Sequence, residues 1–315
     1  MKPERDTSEA VTAARARVAG VAAAEWQRTV APPRRAAEDP PLVRWTLTFL
    51  AVGIITVLII IPVVNVFYQA LADGLGAYWA ALTDPPNLSA IQTTLIVVPI
   101  AVAANTVFGL AAAWAIARFD FPGRTLLITL IDLPFAVSPV VAGLIFMLLF
   151  GLQGYLGPWL RAHDIEIVFA LPGLVLATAF VTFPFVAREL IPVMEAIGAD
   201  EELAAISLGA NGWQMFWRIT LPSIKWGLLY GIILCNARAM GEYGAVYVVS
   251  GRIIGETQTI PLRVNQLYEN NQNTASFALA SVLTLLALLT LFVKVILERK
   301  KTAELAAAAR KKPKE

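Results

Sequence analysis

Long apolar stretches, broken at intervals by short charged segments, set the pattern of this chain. Five stretches contain no Asp, Glu, Lys or Arg: 45–72, 85–117, 133–160, 167–187 and 270–293. Each can cross a hydrocarbon core about 30 Å thick as a helix, because a helix rises about 1.5 Å per residue. The second stretch carries the small residues Ala103, Ala104 and Gly109, which let helices approach closely. Pro62, Pro99, Pro139 and Pro184 fall inside these stretches, and membrane helices tolerate proline where neighbours satisfy the freed carbonyls. A sixth stretch, 225–249, has the length of a span but holds Arg238 and Glu242. Ionisable groups at that depth are costly and turn toward protein or water. The pattern predicts an all-α membrane protein of six transmembrane helices over 45–297, with an N-terminal tail at 1–44 and a basic tail at 298–315.

Composition supports the same class. Of 315 residues, 57% are hydrophobic and 15% charged, with a mean hydropathy of +0.66. A soluble domain of this length could not bury so much apolar surface. The net charge of +2 is too small to argue for nucleic acid, so placement matters more than sum. Lys and Arg number eight in 1–44, two at 118–124, three at 188–225 and eight from Lys294 onward. The alternate loops hold only Arg161, Arg252 and Arg263. Cytoplasmic loops carry the excess of Lys and Arg, so both termini are expected inside, which requires an even number of spans. Residues 1–44 lack a continuous apolar run of the kind a cleavable signal peptide needs, and read as a cytoplasmic tail. The basic, alanine-rich end after Leu297 is expected near the anionic leaflet, chiefly as a topology determinant.

One cysteine, Cys235, excludes an internal disulfide, and its apolar surroundings suit a buried thiol. The single histidine, His163, lies in a polar loop, so a multi-histidine metal site is excluded. No G-x4-G-K-[ST] phosphate loop occurs, and GLQGYLG at 151–157 lacks the lysine. No nucleophile–base–acid constellation is evident either. The chain is therefore expected to be no enzyme and to carry no metal or other cofactor of its own.

Between the fourth and fifth spans lies MEAIGADEELAAISLGANGWQMFWRITLPSIK, residues 194–225, cytoplasmic by the charge count and too long for a tight turn. Asp200, Glu201 and Glu202 suit a helix N-terminus. Leu203, Ile206 and Ala210 then share a face at spacings of three and four. Gly209 and Gly212 suit a close contact or a helix end, and Pro222 suits the first turn of the next helix. Periodicity alone favours a surface amphipathic helix that only links two spans.

The residues of this segment resemble the permease family of ATP-binding-cassette importers, whose cytoplasmic loop carries E-A-A-x3-G-x9-I-x-L-P. Ala204, Ala205, Gly209, Ile219, Leu221 and Pro222 match in register. Leu203 stands where the pattern has glutamate, and Glu202 is one residue upstream. The resemblance implies a type I importer permease fold, with a core at about 88–297 and a short coupling helix docking into a groove on an ATPase subunit. The coupling residues it implies are Glu202, Ala204, Ala205, Gly209, Ile219, Leu221 and Pro222. Over 42–297 the chain is similar to sulfate/thiosulfate permeases, most specifically in DLPFAVSPVVAG, SLGANGWQMFWRITLP, NARAMGEYGAV and VVSGRIIGETQTIPL. That implies import of sulfate and thiosulfate across the inner membrane, with molybdate, tungstate or another oxyanion as the alternative within the family. The implied partners are two copies of an ATPase that binds ATP and magnesium, a homologous second permease and a periplasmic binding protein.

Arg238 and Glu242, four residues apart, are expected on one helix face. Two readings stand: a compensating pair that locks the helix, or a place on the anion path where Arg238 offers planar donors to an oxyanion. Asp132, at the start of the third span, is expected near enough to water to need no partner. A stand-alone secondary carrier is the rival of another class, but it would usually show an internal repeat and several intramembrane ionisable residues. A membrane-embedded enzyme would need clustered His, Asp or Ser, and none is found.

Overall fold

The computed structural model describes residues 41–311, with side chains over 42–300. The readings of the tail before residue 41, and of the side chains beyond Lys300, lie outside the described residues. The chain divides into two units, Met1–Pro62 and Val63–Glu315. All packing described below belongs to the second. Among the described residues there are helices and connecting turns, and no strand.

The first helix, α1 (Leu42–Ala70), is apolar along its length. It widens into a π-helical turn over Thr56–Ile60, just before Pro62. Proline removes one backbone donor and crowds the carbonyl four residues earlier, and a widened turn relieves that crowding. After α2 (Gly74–Thr83), α3 (Pro85–Arg118) opens on Pro85 and Pro86, whose missing N–H groups cost nothing in a first turn. The third stretch forms two helices, α4 (Arg124–Ala136) and α5 (Pro139–Phe150), bent by 110°. The span expected at 133–160 is therefore neither straight nor placed there. Pro139 disfavours helical geometry at Ser138, and Val137 and Ser138 are both extended, with ψ of 131° and 135°.

The short α6 (Gly157–Ala162) precedes α7 (Leu171–Ile197), and α8 (Asp200–Ser207) lies in the following connection. The next span, α9 (Gly212–Met240), begins ten residues before Pro222. Pro222 does not start the helix as expected, but follows a π-helical turn at Phe216–Thr220, the same device as in α1. After a break at 241–243 come α10 (Gly244–Val249) and α11 (Ile260–Glu269). The last helix, α12 (Asn273–Lys311), has 39 residues, about 58 Å at the standard rise, so it runs on well past a hydrocarbon core. Among the described residues five helices are long and apolar enough to cross a membrane, or six when α4 and α5 count as one broken span.

The core lies where α3, α7 and α9 meet. Val98, Val102 and Ala113 of α3 pack with Val186, Leu190 and Met194 of α7 and with Ile224, Cys235 and Ala239 of α9. Gly109 is required there: a Cβ on it would lie 2.9 Å from Val186 Cβ. Asn105 crosses the same contact, donating to Ala179 O at 3.0 Å and to Thr182 Oγ1 at 2.8 Å. A buried amide satisfied across helices fixes register where apolar packing alone would slide. Cys235 is fully buried, as its sequence setting implied. On its other face α3 meets α4 and α7 through Ile116, Ile131 and Ala187.

Candidate coupling and transport site

Helix α8 is fastened on its polar side and bare on its apolar side. Its first turn holds Asp200, Glu201 and Glu202, at the helix end that favours negative charge. Glu202 turns inward and is 7% exposed. Its carboxylate accepts from Arg118 Nε at 2.8 Å, from Arg118 Nη2 at 3.3 Å and from Thr220 Oγ1 at 2.7 Å. Arg118 also donates to the Met194 carbonyl at 2.9 Å. One charged cluster thus ties α8 to the ends of α3 and α7 and to the π-helical turn of α9. The glutamate that makes this bond lies one residue upstream of the family pattern, and Leu203, which occupies the pattern's position, faces outward.

The end of α8 is equally defined. Gly209 N–H donates to Ile206 O at 2.9 Å and Ala210 N–H to Ala205 O at 3.0 Å. This pair of bonds is the Schellman motif, which needs a left-handed residue at the helix end. Gly209 supplies it with φ +88°. No atom lies within 4 Å of a Cβ built there, so Gly209 ends the helix rather than making a close contact. Asn211 then caps α9 with Gln214 in a reciprocal capping box.

The outer side of this connection is apolar. Leu203, Ile206, Leu208, Trp213 and Trp217 are exposed, Leu208 to 88%. Ala205 is buried beneath them, while Ala204 lies on the exposed side. Ile219 on the π-helical turn and Leu221 behind it are half-buried, and Pro222 is exposed. The predicted coupling residues therefore divide: Glu202 and Ala205 are buried against the helix ends, Gly209 ends the helix, Ala204 and Pro222 face out, and Ile219 and Leu221 are half-buried.

Arg238 and Glu242 do meet, with Nη1 to Oε2 at 2.8 Å. They do not share a helix face, because α9 ends at Met240 and Glu242 lies in the break. Glu242 is 3% exposed, and its Oε1 accepts from Ala245 N–H at 3.0 Å, holding the first turn of α10. The bond to Arg238 is one of charge rather than of alignment, since no hydrogen-bond donor is angled onto the buried Oε2.

Sequence reasoning missed two features. Arg118 counted only as a cytoplasmic charge, and nothing local pairs it with a residue 84 positions away. Asp132 does have a partner, contrary to expectation. Arg188 Nε and Nη2 each donate to its carboxylate at 2.6 Å. Arg188 lies inside α7, not in the connection after it. Among the described residues no group of three or more His, Cys, Asp or Glu is placed to hold a metal ion.

Broken and straight apolar helices packed around one core, with a short helix clasped between their ends, define a multi-pass membrane protein of the permease class. The chain belongs to the family of binding-protein-dependent transport system inner membrane components, whose model matches residues 105–303. It is 52% identical over 258 residues to the sulfate transport system permease protein CysW of Synechocystis sp., covering 82% of this chain and 94% of that protein. The CysW of Escherichia coli is 51% identical over 255 residues, 81% of this chain and 88% of the relative. The Escherichia coli sulfate transport system permease protein CysT is 37% identical over 238 residues, 76% and 86% of the two chains. The fold matches a chain in the crystal structure of a bacterial alginate ABC transporter bound to its periplasmic protein, with TM-score 0.68 and 14% identity. That match covers 81% of this chain and 92% of the other. The all-α, multi-pass importer permease expected from the residues is thus the family observed.

Proposed function

We propose that this chain is one of two permeases in a sulfate importer, and that α8 carries the stroke of a separate ATPase into the membrane helices. The observation that carries the reading is the two-sided build of α8. Its buried Glu202 is bonded to α3 and α9, and through Arg118 to α7, so a force on the helix reaches three membrane segments. Its other side presents Leu203 and Ile206 with no cover, continued by the exposed Leu208 and Trp213 beyond its end. An exposed apolar patch rimmed by polar residues marks a protein contact.

The ATPase is expected in two copies, binding ATP and magnesium, one against this chain and one against a homologous second permease. A periplasmic binding protein delivers the anion. Sulfate is the reading supported by the relatives named CysW and CysT, and thiosulfate is the closest chemical companion. Both termini and α8 lie on the cytoplasmic side in this reading, as the excess of Lys and Arg there requires. Arg238 and Glu242 act as a lock at the joint between α9 and α10, because the buried Glu242 holds the first turn of α10 while Arg238 balances its charge.

The test is reconstitution of the purified complex in proteoliposomes with the binding protein outside and ATP inside. Labelled sulfate should accumulate only with ATP and the binding protein together. Accumulation without ATP or without the second permease would mark a stand-alone carrier instead. Leu203→Glu should lower ATPase association at least ten-fold, measured by co-purification. Unchanged association would reject the docking role of α8.

A further inference from the structure

The contact between α4 and α7 is a ladder of three side-chain pairs. Arg124 meets Glu195 at 2.8 Å, Asp132 meets Arg188 at 2.6 Å, and Phe135 meets Phe185 edge-on at 5.3 Å between ring centroids. From Arg124 to Asp132 is about 12 Å of helix rise, so the middle pair lies about two turns in from the charged start of α4, at the border of the charge-free stretches 133–160 and 167–187. The aromatic pair lies one turn further, followed by the break at Val137 and Ser138.

The middle pair differs from a structural ion pair in where it faces. The side of α4 and α7 that holds them together is apolar and closed, with Ile116, Ile131 and Ala187 buried there. The Asp132–Arg188 pair stands on the open side. Arg188 is 57% exposed and Asp132 29%. A guanidinium so exposed within an apolar span does not face hydrocarbon, because a charge there is costly. It faces water or another polar surface, which a permease provides along its conducting path.

The geometry of the pair is that of an occupied anion site. A carboxylate accepts from Nε and Nη2 of one guanidinium in two parallel bonds. A tetrahedral oxyanion presents two oxygens to the same fork. Asp132 therefore fills the position an arriving sulfate would take. As a tethered competitor it keeps Arg188 from holding an anion tightly. Arg238, by contrast, is the counterion of a buried carboxylate that is fixed in the fold.

We propose that Arg188 is the side chain on this subunit that contacts the anion in transit, and that Asp132 is the latch which occupies it between anions. The proposal rests on the reading of the chain as an oxyanion permease. It requires that Asp132 withdraw as sulfate passes, and that it return to displace the anion afterwards. The carboxylate and sulfate exchange on one guanidinium without any covalent step.

The test uses the full reconstituted complex, and wild-type uptake of labelled sulfate comes first. If the wild type moves no sulfate with ATP and binding protein, the functional reading fails, not this assignment. With wild-type uptake in hand, Arg188→Gln should lower uptake at least ten-fold, while ATPase stimulation by the loaded binding protein stays within two-fold. Arg188→Lys, which keeps charge but loses the fork, should retain a measurable part of the rate. The deciding variant is the neutral double Asp132→Asn/Arg188→Gln, which keeps shape and hydrogen bonding and leaves no unpaired charge. A purely structural pair would be restored by it, so wild-type uptake in the double would overturn the proposal. Uptake as low as in Arg188→Gln, from an assembled complex, would support it. As a measurement independent of assembly yield, Arg188→Cys should react with a water-soluble anionic thiol reagent in the intact complex. With Cys235 fully buried, failure of the new cysteine to react would also overturn it.

Discussion

Glu202 shows how a single side chain sets what a helix can do. Its carboxylate takes three hydrogen bonds from two residues outside its own helix, and it is almost wholly buried. Removing one member of a buried ion pair leaves the other charge without compensation, which costs about 3–5 kcal/mol. Arg118→Ala should therefore release α8 from the helix ends. The expected result is binding-protein-stimulated ATPase activity falling to the basal rate, with the ATPase still able to hydrolyse ATP in isolation. Arg238→Ala leaves Glu242 buried without its counterion at the α9–α10 joint. It should abolish uptake and lower the melting temperature of the purified complex together. A loss of uptake with an unchanged melting temperature would place Arg238 on the path instead of in the lock.

At the scale of elements, α8 depends on how it stops. Gly209 is left-handed with open space where a Cβ would be, so the strain of a side chain there is purely conformational. Gly209→Val should cost about 1–2 kcal/mol at that position, because β-branched residues suit the left-handed region worst. Gly209→Asn should cost less, since asparagine tolerates that geometry. ATPase stimulation should follow the same order, wild type above Asn above Val. The π-helical turns before Pro62 and Pro222 show another element-level effect. In both, the helix continues through the proline because the turn ahead of it opens, which periodicity does not reveal.

At the scale of the molecule, the positions of charge decide orientation. A reporter active only outside the cytoplasm, fused after Leu297, should be inactive, and the same reporter inserted between α1 and α2 should be active. The reverse pattern would invert the molecule and remove α8 from reach of any cytoplasmic ATPase. The α3–α7–α9 core, with Asn105 bonded across it, gives these helices one register and makes them a body through which a push on α8 can travel.

The apolar runs determined the class and the approximate number of spans, and the asymmetry of Lys and Arg gave the side expected for the 194–225 connection. These properties are legible because a bilayer imposes a length and a charge rule on every span separately. The pattern at 204–222 was legible because its residues are close in the chain, along α8 and the start of α9. What the tertiary structure alone decided were the partners. Arg118 with Glu202, Asp132 with Arg188 and Asn105 with Thr182 join residues dozens of positions apart. The packing of α4 on α7 put Asp132 beside Arg188, and the break after Met240 put Glu242 in a buried joint. A linear pattern gives the face a residue occupies within one regular helix. It does not give the helix that meets that face, because the meeting depends on how all the segments fill the same space.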